Sequence, residues 1–124
     1  ALPIYIQYAI ARINSILRKA KEKNLQPNKI FLSNAEERNL ILKILQLNNV
    51  IMRANDENEP SIISDYVYNL AQIFSLFYNA SQILNEPNIQ LASSRLMLAK
   101  LCRNILVLLL DLLGIEAPEV ILKA

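Results

Sequence analysis

The stretch ILVLLLDLL, residues 105–113, is apolar on nearly every side of a helix and carries a single charged residue. A helix without a polar face is stable in water only when neighbouring elements surround it. We therefore predict a helix from about Ile89 to Leu113 at the centre of an all-helical bundle, ended by Gly114 and kept from extending by Pro118. Its longest uninterrupted apolar run has six residues, far below the roughly 20 needed to cross a bilayer, so we expect no transmembrane helix.

Two helical segments are predicted at the amino-terminal side of the chain, where apolar residues recur at three- and four-residue spacing. The first runs from about Pro3 to Asn24 and ends before Pro27, which blocks its continuation. The second begins at the stretch SNAE, where Ser33 as N-cap and Glu36 three residues later form a capping-box pattern.

Two more segments lie between these and the central helix. A short one surrounds VIMRAN (50–55), and the acidic residues of NDENEP (55–60) are expected in a solvated loop, not in a metal site or catalytic cluster. Pro60 suits the first turn of the next helix, whose apolar positions are Ile63, Tyr66, Val67, Leu70, Ile73, Phe74, Phe77 and Leu84. The predicted fold class is therefore all-α, an antiparallel helical bundle of five or six helices, because short loops favour antiparallel neighbours.

Composition limits the number of domains and the chemistry. A chain of 124 residues is in the ordinary single-domain range, so we predict one domain over residues 1–124. The lone Cys102 has no intrachain partner and the first residues lack a secretory signal, which favours a reducing, cytoplasmic location. With no histidine and one glycine, His-based acid/base sites, Cys/His zinc sites and glycine-rich phosphate loops are excluded. We predict neither catalytic residues nor a metal site.

The first predicted helix contains YIQYAIARINSILRKA, residues 5–20, and its polar residues are arranged in stripes. At about 100° per residue, a face about 120° wide is apolar and suits the core; it comprises Ile6, Ala9, Ile10, Ile13, Ile16, Leu17 and Ala20. A flank stripe about 80° wide follows one side of that face and comprises Tyr5, Tyr8, Arg12, Ser15 and Lys19. The remaining side is predicted to point outward and carries Gln7, Asn14, Arg18 and Lys21.

The flank stripe offers ring faces for stacking, a planar guanidinium and a hydroxyl donor, which suit unstacked RNA bases. The alternative is that both tyrosines cover a neighbouring helix and the cations are solvated. From Ala1 to Ser33, six basic residues oppose one acidic residue, a net +5, whereas the remainder of the chain has a net −3. This polarity favours nucleic-acid binding over a generic protein-interaction bundle, which stays the second hypothesis.

These residues resemble a known family. YIQYAIARINSILRKA resembles the YVQYAHARI-type opening of the C-terminal anticodon-binding domain of arginyl-tRNA synthetases, the DALR family. Later segments resemble the same domain in the same order: ERNLILKILQLNNVI (37–51), YVYNLAQIFSLFYNASQIL (66–84), SSRLMLAK (93–100) and LLGIEAPE (112–119). Cysteinyl-tRNA synthetases carry a related domain and remain an alternative, but the YxQYxxAR opening and the LLGIEAPE close are more similar to the arginyl branch.

The resemblance implies that the bundle binds the anticodon stem-loop of an arginine tRNA, while a catalytic domain upstream of this chain uses ATP and Mg²⁺ to charge the tRNA. No cofactor is expected in this segment, and the expected partners are arginine tRNA and the catalytic domain, not DNA or a membrane. Within YxQYxxAR, the resemblance assigns anticodon contacts to Tyr5, Tyr8 and Arg12. Further candidate contacts, from the motif, the basic first helix or the fourth helix, are Gln7, Ser15, Arg18, Lys19, Lys21, Phe77, Tyr78 and Asn79. For the three residues of the fourth helix, the alternative is that they are ordinary core and half-buried residues.

The sequence departs from the family pattern at three places. Ile10 stands where the family often has histidine, and Ser93 and Ser94 replace the acidic and small residues that often precede the RL pair. After GIEAPE the family commonly ends in a short tail with a terminal methionine near the tRNA, whereas this chain reads VILKA (120–124). Ile10 lies on the predicted core face of its helix, so packing is its expected role, whereas the two serines weaken the DALR signature without erasing it.

Overall fold

The structure is a computed structural model and describes residues 2–115 of the chain. Within that part it contains five helices and no strand, which confirms the all-α bundle. The helices are α1 (Leu2–Glu22), α2 (Ala35–Leu45), α3 (Leu47–Glu57), α4 (Ser61–Ala80) and α5 (Ile89–Leu112). Only Gln46 separates α2 from α3, so these two form the arms of one bent helix. The predicted roles of Pro118, the LLGIEAPE close and the VILKA tail lie outside the described residues.

Helix α5 is the central element, as its sequence predicts, and it packs against α1, α2 and α4. Leu106, Leu109 and Leu110 are at most 1% exposed in a core that all three neighbours share. The prediction that neighbours surround this stretch on every side is wrong, because Leu108 and Leu112 are 47% and 58% exposed. Three packed neighbours leave one side of the last turns of α5 uncovered among the described residues.

The helix directions are partly those expected. Arg103 of α5 contacts Asn14 of α1 and the earlier Lys100 lies beside the later Lys21, so α1 and α5 are antiparallel. In contrast, α1 and α4 are neighbours that run in the same direction, because Tyr5 contacts Tyr68 and the later Arg12 contacts the later Tyr78. Helices α1 and α2, although consecutive, make no direct contact. The prediction of a uniformly antiparallel bundle is therefore wrong for α1 and α4, which pack side by side in the same direction.

The segment between α1 and α2 crosses the bundle and is anchored on α5. The hydroxyl of Ser94 accepts a hydrogen bond from the Phe31 backbone N–H at 2.7 Å and donates one to the Phe31 carbonyl at 3.2 Å. The backbone N–H of Asn28 donates to the carbonyl of Ser93 at 3.3 Å. Both serines are buried, but only the side chain of Ser94 bonds this connection, because Ser93 contributes a backbone carbonyl that any residue would supply.

Three helix ends differ by a few residues from the sequence prediction. Asn34, not Ser33, is the N-cap of α2, and its side chain accepts from the N–H of Glu37 at 2.8 Å. The pattern is shifted by one residue because Glu37, not Glu36, then occupies the third helical position and accepts from the Ser33 N–H and hydroxyl. Helix α3 continues to Glu57, so part of NDENEP is helical, and its left-handed end is at Asn58 (φ 52°).

Helix α4 begins after Pro60, which is its N-cap, and ends at Ala80. Leu84, predicted as one of its apolar positions, therefore lies in the α4–α5 connection. At the end of α5, Gly114 adopts φ 77° and the N–H of Ile115 donates to the carbonyl of Leu110 at 2.8 Å. This Schellman arrangement confirms Gly114 as the residue that ends the helix, since left-handed backbone is least costly for glycine.

A buried ionic network joins three segments of the bundle. The Nε of Arg95 on α5 donates to Oε2 of Glu37 at 2.9 Å, and its Nη1 donates to Oε1 of Glu86 at 2.9 Å and to the Gln82 carbonyl at 2.8 Å. Glu37 has no exposed surface and also accepts from the Ser33 N–H and hydroxyl at 2.8 and 2.7 Å. Each buried polar atom of this network therefore has a hydrogen-bond partner, which the burial of charged side chains requires.

Candidate nucleic-acid interface

The flank stripe of α1 lies at the surface, and the apolar face lies in the core. Ile6, Ile10 and Ile13 are fully buried, whereas Tyr5 and Tyr8 are 37% and 61% exposed. Along the rest of the flank stripe, the side chains of Arg12 and Lys19 are exposed and that of Ser15 is half-buried. The 3.6-residue period of the sequence therefore assigns both faces correctly, and neither ring is sealed beneath a neighbouring helix.

Helix α4 extends this stripe with further aromatic residues. The rings of Tyr5 and Tyr68 lie 5.5 Å apart between centroids, and the Tyr5 hydroxyl is 3.4 Å from Oγ of Ser75. Cζ of Arg12 lies 4.8 Å from the centroid of the Tyr78 ring. Because residue 5 meets residues 68 and 75 and residue 12 meets residue 78, α1 and α4 run in the same direction.

Together these residues form one exposed patch, which we call the aromatic surface; it consists of Tyr5, Tyr8, Arg12, Tyr68 and Tyr78. Tyr68 is 40% exposed and was not among the residues predicted from sequence. A signal for it exists, since Tyr68, Ser75 and Tyr78 fall within about 80° of arc on α4 at about 100° per residue. Four of the five tyrosines of the chain thus meet at one helix pair.

The fifth tyrosine has a structural role. Tyr66 is 3% exposed, and its hydroxyl donates to the Lys43 carbonyl of α2 at 2.7 Å. Burial raises the pKa of Tyr66 to about 12, and the nearby thiol of Cys102 adds to the shift. Burial likewise raises the pKa of the Cys102 thiol well above its ordinary value, so this cysteine is a protonated core residue.

Two of the candidate contacts, Phe77 and Gln7, are buried or half-buried. Phe77, which the sequence offers both as an apolar position of its helix and as a candidate contact, is completely buried with its ring 5.8 Å from that of Phe74, so it is a core residue and not an RNA contact. Asn79, two residues further along α4, is exposed. Gln7, predicted to point outward, is half-buried.

The side of α1 that carries Gln7 is more covered than predicted. Asn14 is half-buried and accepts a hydrogen bond from Nε of Arg103 at 2.9 Å, and Ala11 is 3% exposed. The outward assignment is therefore wrong for the first half of this side, because α5 packs alongside it. It holds for Arg18 and Lys21, which are exposed.

Basic side chains gather toward the end of α1. Arg18 forms an exposed ion pair with Glu22 at 3.2 Å, and Lys19 and Lys21 lie in the last turn of the helix. Arg18 and Lys21, on the side of α1 beside α5, border a groove of about 560 Å³ that Lys100 also lines. Cations in a last helical turn are favoured by the helix dipole, and Lys19, on the flank stripe, supplies positive potential on the side of the aromatic surface.

No group of three or more His, Cys, Asp or Glu side chains in residues 2–115 is placed to hold a metal ion. None of the helices in this part of the chain is long and apolar enough to span a membrane.

Comparison of the sequence with known protein families identifies the family of this chain. A sequence profile described as the DALR anticodon binding domain matches residues 6–121. The chain belongs to the DALR anticodon-binding domain family. Within this DALR domain, the buried Ile10 accounts for one departure from the family pattern, because the position has no exposed surface and serves packing alone.

Relatives of the DALR domain share both its sequence and its fold. It is 43% identical over 117 residues to the arginine–tRNA ligase of Histophilus somni (strain 2336), a match that covers 93% of this chain and 20% of that protein. Identity to the arginine–tRNA ligase of Alkaliphilus oremlandii is 39% over 117 residues, with the same coverage. The arginyl-tRNA synthetase of Thermus thermophilus superposes with a TM-score of 0.80 at 33% identity, over 94% of this chain and 21% of that one.

A more distant structure gives the same result, since the arginyl-tRNA synthetase of Plasmodium falciparum has a TM-score of 0.79 at 28% identity, over 95% of this chain and 21% of its own. The DALR domain therefore spans about a fifth of the length of these relatives. The five-helix arrangement that brings α1 beside α4 is common to both solved structures, because each match covers nearly all of this chain.

Proposed function

We propose that this DALR domain binds the anticodon stem-loop of an arginine tRNA and positions it for ATP-dependent arginylation by a catalytic domain of the same protein. The observation that carries the proposal is the aromatic surface, where exposed tyrosines of two helices share one side of the bundle with an exposed arginine that lies over the Tyr78 ring. Bases splayed out of an RNA loop are bound by such rings and guanidinium planes. The names of the relatives favour arginine tRNA over cysteine tRNA.

Within this proposal the residues of α1 have distinct roles. Tyr8, with 61% of its surface exposed and no ring neighbour among the described residues, is the principal stacking platform. Tyr5 is held against Tyr68 and Ser75, so it presents less of its ring. Arg12 hydrogen-bonds a base edge or phosphate, and the cations Arg18, Lys19 and Lys21 neutralise the phosphate backbone of the stem. Stacking supplies affinity, and hydrogen bonds select the bases.

A Tyr8→Ala variant tests the stacking role. Loss of one base-stacking ring should weaken binding of an arginine-tRNA anticodon stem-loop by about 1–3 kcal/mol, or roughly 5- to 150-fold. Tyr8→Phe keeps the ring and should retain most of the affinity. As a matched control, Leu42→Ala removes an equally exposed apolar side chain from α2, far along the chain from the interface, and should change nothing. Equal binding by the alanine variant and the parent chain would show that Tyr8 does not stack.

Specificity and salt dependence test the partner itself. The parent chain should prefer the stem-loop to one with altered anticodon bases, and its affinity should fall between low and physiological salt because phosphate contacts release counterions. A chain that binds neither stem-loop, or binds both equally at every salt concentration, is not an anticodon reader. That result would return the aromatic surface to the protein-interaction hypothesis.

A further inference from the structure

We propose that Tyr78 is a positioning residue for tRNA binding: its ring holds the guanidinium of Arg12 in the orientation that contacts RNA, and it makes no base contact of its own. This inference rests on the function proposed above and assigns Tyr78 a role different from that of Tyr8. The two rings share one surface but differ in what already covers them.

The geometry around Arg12 is the first support. Its Cζ lies 4.8 Å from the centroid of the Tyr78 ring, inside the range of about 6 Å for a cation–π contact. Within residues 2–115, Arg12 forms no ion pair with a carboxylate, whereas Arg18, Arg53 and Arg95 each do. An exposed arginine without a carboxylate partner has many rotamers available. The Tyr78 ring is therefore the feature that restricts this guanidinium before RNA arrives.

The surroundings of Tyr78 are the second support. Its ring stacks on Phe74, with centroids 6.2 Å apart and planes 27° from parallel, and Phe74 is only 1% exposed. This i,i+4 pair attaches Tyr78 to the core. The ring thus has a core neighbour and a guanidinium neighbour, and it is 36% exposed against 61% for Tyr8. Little of its face remains for a base, whereas the ring is rigid enough to orient Arg12.

The end of α4 adds a third contribution. Tyr78 lies in the last turn of this helix, which contains no basic residue of its own. The carboxyl end of a helix carries partial negative charge and favours a nearby cation. Arg12, brought from α1 by the parallel packing of the two helices, supplies that cation. Ring and helix end both favour the same placement of the guanidinium.

A double-mutant cycle in the 124-residue chain, with an arginine-tRNA anticodon stem-loop as the probe, measures this coupling. Arg12→Ala should weaken binding by about 10- to 150-fold, as expected for a hydrogen bond to a charged group. Tyr78→Leu should weaken it by about 2- to 5-fold, the worth of an exposed cation–π contact, and Tyr78→Phe should stay within about twofold. In the Arg12→Ala background, Tyr78→Leu should have no further effect, because the group it positions is gone.

Tyr68→Leu is the matched control, since Tyr68 is a similarly exposed tyrosine of α4 whose ring neighbour is Tyr5. Its effect should persist unchanged in the Arg12→Ala background. If Tyr78→Leu weakens binding equally in both backgrounds, Tyr78 contacts RNA directly or acts through the fold, and the inference is overturned. A loss in Tyr78→Phe as large as in Tyr78→Leu would point to a hydroxyl contact and overturn it as well.

A measurement without RNA separates this inference from the proposed function. In the free chain, the Arg12 Nε–Hε resonance should be shifted upfield by the ring current of Tyr78, retain that shift in Tyr78→Phe and lose it in Tyr78→Leu. Absence of the shift in the parent chain overturns the positioning role even when RNA binding is intact. A chain that shows the shift but binds no stem-loop instead refutes the proposed function, and the positioning role for RNA is refuted with it.

Discussion

Replacing Arg95 by methionine should strongly destabilise the bundle because it leaves a buried carboxylate without its counter-charge. Glu37 has no exposed surface, and Arg95 donates to it at 2.9 Å. After the substitution, the donors left to the Glu37 carboxylate among residues 2–115 are the N–H and hydroxyl of Ser33. Methionine preserves much of the apolar length of the side chain, so the main loss is electrostatic and not a cavity.

The size of the loss in folding free energy depends on which of the two carboxylates can be rehydrated. Glu86, the second partner of Arg95, keeps 14% of its side chain exposed and can be partly rehydrated. Glu37 cannot, so it bears the full cost of an uncompensated buried charge, about 3–5 kcal/mol. Since whole domains are stable by about 5–15 kcal/mol, this one change should remove a large share of the free energy of unfolding.

Urea unfolding followed by circular dichroism measures the effect, with an unchanged slope expected if the denatured state is unaffected. Arg53→Met is the matched control, because the Arg53–Glu57 pair is separated by 3.6 Å and both side chains are more than half exposed. It should cost less than about 1 kcal/mol. Adding Glu37→Met to Arg95→Met should recover part of the loss, since no buried charge is then left unpaired. Equal losses in Arg95→Met and Arg53→Met would refute the reasoning.

Three further outcomes are expected from buried residues. Phe77→Ala should lower the free energy of unfolding by about 3–5 kcal/mol because the ring is fully buried, whereas Leu76→Ala, at an exposed neighbouring position, should cost far less; similar losses in urea unfolding would contradict the core assignment. The raised pKa of Tyr66 means that the unfolded chain loses this proton before the folded chain, so stability should fall as the pH rises from about 10 to about 12, and Tyr66→Phe should remove that part of the pH dependence. Cys102, buried and protonated, should react with a thiol reagent only as fast as the chain unfolds, and rapid modification of the native chain would contradict its burial.

Much of the fold is readable from the sequence because helical periodicity and chain punctuation act locally. The apolar face of α1, the central position of α5 and the end at Gly114 each depend on side chains a few residues apart. Predictions that needed tertiary contacts were less successful. The parallel packing of α1 with α4 depends on how residues 23–34 cross the bundle, and Ser94 anchors that segment from a distant helix. Two adjacent serines, Ser93 and Ser94, do not by themselves indicate such a contact in the sequence.

The residues of the candidate surface were likewise predictable where they lie on one helix and not where they depend on how two helices pack. Helical spacing alone places Tyr5, Tyr8 and Arg12 in one stripe because they lie on one helix, and their contacts with RNA stay a prediction. Tyr68 was missed because its membership depends on which flank of α4 faces α1. For Phe77 the sequence allowed both a core position and a contact, and the core position is correct because one residue along a helix turns the side chain by about 100° from the exposed flank of Tyr78.

The binding surface and the core are one packed unit in this domain. Ring contacts run from Phe77 to Phe74 at 5.8 Å, from Phe74 to Tyr78 at 6.2 Å, and from Tyr78 to Arg12 at 4.8 Å. A guanidinium held by this series loses less conformational entropy on meeting RNA than a free one, so more of its hydrogen-bond energy becomes affinity. In the proposed function, Tyr8, which has no such support among the described residues, would be ordered by the bases it stacks on. Arg12 would then supply a fixed group that selects bases, and Tyr8 a platform that adapts to them.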